Sequence, residues 1–110
     1  MKKRNQILIS LFLLFFFKDP GYAKNLEIGE ILFNQNCQVC HIDGKNIIIP
    51  EKNLKKKVLE ANGMDTVEAI VYQVTNGKNG MPAFGGRLTE KEMEKISFYI
   101  LNKFGKESEG

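Results

Sequence analysis

The pentapeptide Cys37-Gln38-Val39-Cys40-His41 contains both cysteines and the only histidine of this 110-residue chain. Cys-x-x-Cys-His is the motif by which a c-type haem is attached to protein. In such a motif the two sulfurs form thioether bonds with the vinyl groups of the porphyrin, and the histidine binds the iron. The motif therefore predicts one covalently bound haem c, held by Cys37 and Cys40, with His41 as an iron ligand.

Two other kinds of site use the same residue types. A thiol-disulfide oxidoreductase would keep Cys37 and Cys40 as free thiols, but its motif usually accompanies a pattern of alternating strands and helices. A structural zinc site normally has four nitrogen or sulfur ligands, and Cys37, Cys40 and His41 supply only three. Both a dithiol enzyme and a small zinc-binding module stay open as alternatives to the haem protein.

The N-terminus has the pattern of a secretory signal peptide. Basic residues at positions 2–4 precede an apolar run from residue 7 to residue 17, and Gly21-Tyr22-Ala23 provides the small residues of a cleavage site. The run is shorter than the roughly 20 apolar residues that a membrane-spanning helix needs. We predict a leader, residues 1–23, that is removed, and a single domain, residues 24–110, without a membrane span.

The leader also accounts for the basic character of the chain, which has a formal net charge of +3 and a pI near 8.9. It contains four of the 16 basic residues and one of the 13 acidic residues, so the remaining domain has 12 of each. This balance gives no reason to expect a nucleic-acid partner.

Apolar residues after the leader recur with the period of helices, and no segment alternates with the period of a strand. We therefore predict an all-α domain of about four short helices around the haem, which would complete an otherwise thin core. The first predicted helix covers residues 26–36, with Asn25 as N-cap, and the second covers residues 54–61, with Leu54, Val58 and Ala61 on the inner side. The third runs from Asp65 to Asn76, with Asp65 and Glu68 as its capping box. The fourth starts with a capping box of Thr89 and Glu92 and ends at Gly105.

A second informative stretch, residues 76–87, is rich in glycine and contains Met81-Pro82. Since the chain has no second histidine, a methionine sulfur is the expected second iron ligand, and this ligand raises the reduction potential. Pro82 restricts Met81 to extended backbone in an open loop, which favours Met81. Met64, at a helix boundary, and Met93, on the apolar stripe of the last helix, are the alternatives.

The domain resembles the cytochrome c6 family along nearly its whole length. The matching segments include Asn36-Cys37 through Cys40-His41, residues 58–62, Tyr72-Gln73-Val74 and residues 76–88, of which Met-Pro-Ala-Phe-Gly-Gly-Arg-Leu is the most specific. The resemblance implies a class I cytochrome c fold whose first and last helices cross near Gly29, Phe33 and Tyr99. It also implies haem attachment by Cys37 and Cys40 and iron ligation by His41 and Met81.

Two protein ligands leave no open position on the iron, which predicts a one-electron carrier and not an enzyme. The resemblance implies a monomer in the thylakoid lumen of an algal plastid or a cyanobacterium, with cytochrome f of the b6f complex as donor and photosystem I as acceptor. Electrons would leave through a haem edge framed by Ile47, Ile48 and Pro82, in a small contact. A periplasmic haem c protein that donates to a respiratory oxidase stays open, because transient docking leaves weak sequence signals.

The resemblance assigns roles to three further residues and contains one departure. Gln73 matches a glutamine at the haem edge, and Tyr72 is expected to pack beside the haem. Arg87 matches an arginine used in docking to photosystem I, with a salt bridge inside the loop as the ordinary alternative. Gly80 stands where many relatives have alanine, which predicts a looser loop around Met81.

Overall fold

The structure, a computed structural model, describes residues 20–106. Four α-helices make up most of this range: α1 (Pro20–Asn36), α2 (Lys56–Ala61), α3 (Val67–Asn76) and α4 (Glu90–Lys103). A short 3-10 helix, Ile42–Gly44, follows the cysteine motif in what the sequence predicts to be an irregular loop. Within the described range the β-type pairing is limited to one isolated bridge, so the prediction of an all-α domain is confirmed.

Helix α1 extends further towards the N-terminus than the sequence predicts. Asn25, the predicted N-cap, lies inside the helix, which also includes Gly21-Tyr22-Ala23 at the predicted cleavage site. The side-chain amide of Asn102 on α4 donates a hydrogen bond of 3.1 Å to the Tyr22 hydroxyl. The N-cap prediction was wrong because contact with α4 stabilises additional helical turns, an effect that no local signal records. The rest of the predicted leader lies outside the described residues.

Helix α2 is shorter than predicted. It begins at Lys56, so Leu54 is a buried residue of the preceding loop and not part of the helix. Its buried side chain is Leu59, whereas Ala61, which the helical period placed on the inner side, is exposed. A helix of fewer than two turns gives too little sequence to fix its inner face from periodicity alone.

The predicted cap was wrong for α3 and is confirmed for α4. Helix α3 is capped by Thr66, whose hydroxyl accepts a 3.1 Å hydrogen bond from the backbone N–H of Ala69, and not by Asp65. Helix α4 has the predicted capping box: the Thr89 hydroxyl accepts from the Glu92 N–H at 3.1 Å, and a Glu92 carboxylate oxygen accepts from the Thr89 N–H at 2.8 Å. Reciprocal bonds of this kind fix a helix start strongly.

The first and last helices cross at Gly29, as the resemblance implies. A Cβ atom on Gly29 would overlap the carbonyl oxygen of Lys95 and lie 2.8 Å from its carbonyl carbon. One turn further along α1, the buried ring of Phe33 has its centre 5.4 Å from that of Tyr99 and 5.6 Å from that of Phe104. The two helices approach closely because Gly29 has no side chain.

Replacing Gly29 with alanine should therefore destabilise the domain, although alanine is the better helix former. Inserting a methyl group into a close contact costs about 1–3 kcal/mol, and we expect the free energy of unfolding of the haem-loaded protein to fall by about that amount in a urea titration. Gly86→Ala is the matched control, because a Cβ there would meet nothing within 4 Å. Equal stability of the two variants would contradict the close crossing.

Candidate functional site

A cavity of about 240 Å³ lies beside the cysteine motif. One buried water needs only about 10–15 Å³, and protein interiors are otherwise close-packed, so this space is far larger than a packing defect. Most of its wall is apolar and comes from both halves of the domain. The buried apolar residues that line it are Phe33, Leu54, Leu59, Ile70, Val74, Phe84 and Ile100. The walls therefore fit a large apolar group, and the predicted haem is a group of this kind.

Both cysteines of the motif line this cavity as free thiols. Cys37 continues the last turn of α1, with its N–H donating to the Phe33 carbonyl at 2.8 Å, and it is only 7% exposed. The chain then turns back, because the N–H groups of Cys40 and His41 both donate to the Cys37 carbonyl, at 3.1 and 2.9 Å. This turn brings all three side chains of the motif to one cavity.

The environment of Cys37 opposes the dithiol alternative. Burial, followed by the neighbouring Cys40, raises the pKa of the Cys37 thiol to about 11. Catalytic cysteines of thiol-disulfide oxidoreductases need a lowered pKa, since the thiolate is the nucleophile. The zinc alternative has no support either, because in the described part of the chain no group of three or more His, Cys, Asp and Glu side chains is placed to hold a metal ion.

His41 is oriented by a hydrogen bond to the backbone. Its Nδ1 lies 2.9 Å from the carbonyl oxygen of Lys45, which assigns the proton to Nδ1 and leaves Nε2 with a free lone pair. Burial lowers the pKa of the imidazole, and the hydrogen bond to Lys45 opposes this effect. A neutral histidine whose other nitrogen donates to a carbonyl is the usual form of a metal ligand, so His41 is prepared to bind iron.

The structure separates the three candidate methionines. Met81 and Met64 line the cavity. Met93 is buried in the core between α3 and α4, and its sulfur lies 3.4 Å from the hydroxyl oxygen of Thr75, which donates its proton to the Val71 carbonyl at 2.6 Å. The packing role expected for Met93 therefore agrees with the structure, and the sulfur ligand has two candidates, Met81 and Met64.

Met81 ends a tight turn that starts at Lys78. The two residues exchange backbone hydrogen bonds of 2.9 and 3.0 Å, and the two residues between them, Asn79 and Gly80, have positive φ angles of 46° and 88°. These are the features of a type I′ turn, for which Asn-Gly is the preferred sequence. Gly80 thus suits the turn, and the prediction that it loosens the loop around Met81 was wrong.

Gly80→Ala should loosen this turn. A Cβ at this position would make only ordinary contact, 3.7 Å from Ile48, but the φ of 88° is unfavourable for any residue with a side chain. The expected cost is about 1–2 kcal/mol, and it should appear as a lower midpoint in a urea titration of the haem-loaded protein. Asn79→Gly, which removes a side chain from positive φ, should not lower that midpoint. A midpoint raised by Gly80→Ala would contradict the turn assignment.

The three residues assigned by resemblance lie in different settings. Gln73 lies on the cavity wall, as expected. Tyr72 is 72% exposed and does not line the cavity, so the expectation that it packs there was wrong; it lies on the outer face of α3. The guanidinium of Arg87 lies 4.8 Å from the ring centre of Phe84, which is a cation–π contact. This contact takes the place of the loop salt bridge that was considered as the alternative to a docking role.

One part of the cavity edge is polar and was missed by the sequence analysis. It consists of Asn46, Lys52, Asn53 and Asn62. The ammonium of Lys52 donates a 2.8 Å hydrogen bond to the side-chain oxygen of Asn62. Asparagine and lysine are common in loops, and no motif marks these four residues. Only the folded chain brings them to one edge.

Comparisons with known proteins show which family this chain resembles over most of its length. A family model described as cytochrome c oxidase, cbb3-type, subunit III, matches residues 24–100. Cytochrome c6 from Pyropia yezoensis is 49% identical over 105 residues, covering 94% of this chain and 96% of the relative. Cytochrome c6 from Bumilleriopsis filiformis is 57% identical over 79 residues, covering 72% and 92%. The solved cytochrome c6 of the diatom Phaeodactylum tricornutum has a TM-score of 0.68 at 47% identity, covering 70% of this chain and 91% of that one.

Proposed function

We propose that this chain, which belongs to the cytochrome c6 family, carries single electrons from the cytochrome b6f complex to photosystem I. The chain has a class I cytochrome c fold and is a haem c electron carrier, consistent with no enzymatic role. The observation that carries the finer proposal is that Cys37, Cys40, His41 and Met81 line one and the same largely apolar cavity.

We assign the site residues as follows. Cys37 and Cys40 hold the haem by thioether bonds, His41 binds the iron through Nε2, and Met81 supplies the second ligand. When bound, haem c supplies the one-electron chemistry of its iron. The chain supplies the rest: the Lys45 carbonyl orients His41, the type I′ turn fixes Met81, and the apolar wall excludes water, which tunes the reduction potential.

The route of the electron is proposed from the cavity mouth. Ile48 and Pro82 line the cavity and also reach the surface, and Ile47 beside them is 60% exposed. An apolar rim of this size suits a brief contact between redox partners. We expect the protein to act as a monomer that meets cytochrome f and photosystem I in turn.

The proposed location is the thylakoid lumen of a plastid or a cyanobacterium, after removal of residues 1–23. Relatives in red algae and in Synechococcus support this location. The alignment to the Pyropia yezoensis relative covers 94% of this chain, so it includes most of the predicted leader. None of the helices in residues 20–106 is long and apolar enough to cross a membrane.

Electron donation to a respiratory oxidase is the second candidate, and the match to the oxidase-subunit family model favours it. Flash photolysis decides between the two. The exported, haem-loaded protein is mixed in reduced form with photosystem I particles and, separately, with respiratory membranes. We expect rapid re-reduction of the photo-oxidised reaction centre at a rate proportional to protein concentration. Slow re-reduction together with rapid oxidation by the respiratory membranes would favour the oxidase.

Arg87→Gln should slow the reaction with photosystem I. The arginine is exposed and lies over the buried Phe84 ring at the cavity wall, and a charge at a docking surface changes association rates by about tenfold or more at low salt. We expect the second-order rate constant to fall by about this factor, with a weaker dependence on ionic strength. Lys106→Gln, an exposed charge beyond α4, is the control. Equal rates in the two variants would exclude a docking role for Arg87.

A further inference from the structure

Residues 46–49, here called the lid loop, cover part of the cavity mouth. Asn46, Ile48 and Ile49 line the cavity. The side chain of Ile48 also lies beside the turn that ends at Met81, since a Cβ on Gly80 would be 3.7 Å from Cγ2 and 3.9 Å from Cδ1 of Ile48. The lid loop and the Met81 turn, about 30 residues apart in the sequence, therefore meet at the mouth.

The side chain of Asn46 makes three hydrogen bonds to the backbone in and beside the lid loop. The side-chain oxygen of Asn46 accepts hydrogen bonds from the N–H groups of Ile48, at 3.0 Å, and Ile49, at 2.8 Å. Its side-chain nitrogen donates to the carbonyl oxygen of Lys52 at 3.1 Å. Two backbone hydrogen bonds also hold the loop, from the Ile47 N–H to the Cys40 carbonyl at 3.0 Å and from the Lys52 N–H to the Ile49 carbonyl at 2.8 Å. Asn46 provides the bonds to Ile48 and Ile49 themselves, so its loss should loosen Ile48 while the loop stays attached.

Asn53 shows what an ordinary loop asparagine does in the same region. It also lines the cavity, and it makes a similar set of bonds, accepting from the Lys55 N–H at 2.9 Å and donating to the Pro50 carbonyl at 3.3 Å. Lys55, the residue that it holds, is exposed and does not line the cavity. The difference between the two asparagines is the residue that each one positions.

We propose that Asn46 is a positioning residue for the Met81 side of the site. By holding Ile48 against the Lys78–Met81 turn, it keeps water and small ligands away from the methionine sulfur. The apolar shell of a haem controls solvent access and, through it, the reduction potential. This inference rests on the proposed function, in which Met81 is an iron ligand.

The test compares Asn46→Ala with Asn102→Ala in the exported, haem-loaded protein. Asn102 also donates a side-chain hydrogen bond, of 3.1 Å to the Tyr22 hydroxyl, but it does not line the cavity. Three quantities are measured: hydrogen exchange of the Ile48 and Ile49 amides, the rate at which imidazole displaces the sulfur from ferric iron, and the reduction potential. For Asn46→Ala we expect faster exchange at both amides, displacement about tenfold faster, which corresponds to losing a hydrogen bond, and a lower potential. Asn102→Ala should leave all three near the values of the unchanged protein.

Ile48→Ala provides a second variant in case Asn46→Ala does not fold. It keeps the hydrogen bonds of Asn46 and removes only the side chain beside Gly80, so displacement should accelerate while amide exchange stays unchanged. A displacement rate and potential in Asn46→Ala equal to those of Asn102→Ala would overturn the inference, as would unchanged displacement in Ile48→Ala. If the unchanged protein lacks the sulfur–iron band altogether, the ligand assignment fails first, and the two failures are thereby distinguished.

Discussion

Met81→Ala should lower the reduction potential of the haem by about 0.1–0.3 V, because axial ligands set haem potentials over a range of about 0.8 V and a methionine opposite a histidine raises the potential. The weak near-infrared band of the sulfur–iron bond in the ferric protein should vanish as well. Both effects are measured on the exported protein, by potentiometric titration and by its visible and near-infrared spectra before and after reduction with ascorbate.

The other two methionines are the matched controls. Met64→Ala changes the cavity wall but keeps the proposed ligand, so the band should remain. Met93→Ala removes a buried side chain from the core between α3 and α4 and should cost about 2–5 kcal/mol of stability, again with the band retained. A band that survives in Met81→Ala and is lost in Met64→Ala would move the ligand assignment to Met64.

Replacing both Cys37 and Cys40 with alanine should give a colourless and largely unfolded chain. A domain of this size has little core to spare, and without haem the apolar residues that line the cavity of 240 Å³ would face water, which we expect to cost several kcal/mol at roughly 1.5–3 kcal/mol for each fully exposed large side chain. That cost is comparable with the whole stability of a typical domain, roughly 5–15 kcal/mol. Far-ultraviolet circular dichroism and acid-acetone extraction of haem provide the measurements.

Val39→Ala is the control for this experiment, because Val39 lies between the two cysteines and is 75% exposed. It should fold and hold haem that resists extraction. Cys40→Ala alone retains one sulfur, so its haem should also resist extraction, with reduced stability. If the double variant without haem instead unfolded cooperatively in urea from a helical state, the core would not depend on an occupant of the cavity.

The helices were predicted correctly where the deciding interaction is local in the sequence, and wrongly where it joins distant residues. Helix α4 was predicted well because its start is fixed by Thr89 and Glu92, three residues apart. The start of α1 was predicted wrongly because the contact that supports it, between Tyr22 and Asn102, joins residues 80 apart in the sequence. Periodicity identified the long helices, and it failed at α2, which is too short to define a face.

The residues that meet at the cavity could be singled out from the sequence where they are rare in the chain. The two cysteines, the single histidine and Met81 before proline each stand out in composition or local sequence, and all line one cavity. Asn46 does not stand out among the many asparagines, and its importance depends on Ile48 meeting a distant turn. The prediction for Tyr72 was wrong because the resemblance indicated only that the residue is near the haem, and not on which face of α3 its side chain lies.

The packing of α1 on α4 joins the two ends of the domain, which sets an order for its biogenesis. Until α4 docks on α1, the Phe33 ring lacks its neighbours Tyr99 and Phe104. Both thiols are then accessible to haem, whereas in the closed domain Cys37 is 7% exposed. Covalent attachment of haem should therefore precede docking of α4 on α1. A chain in which α4 docks first should not acquire haem.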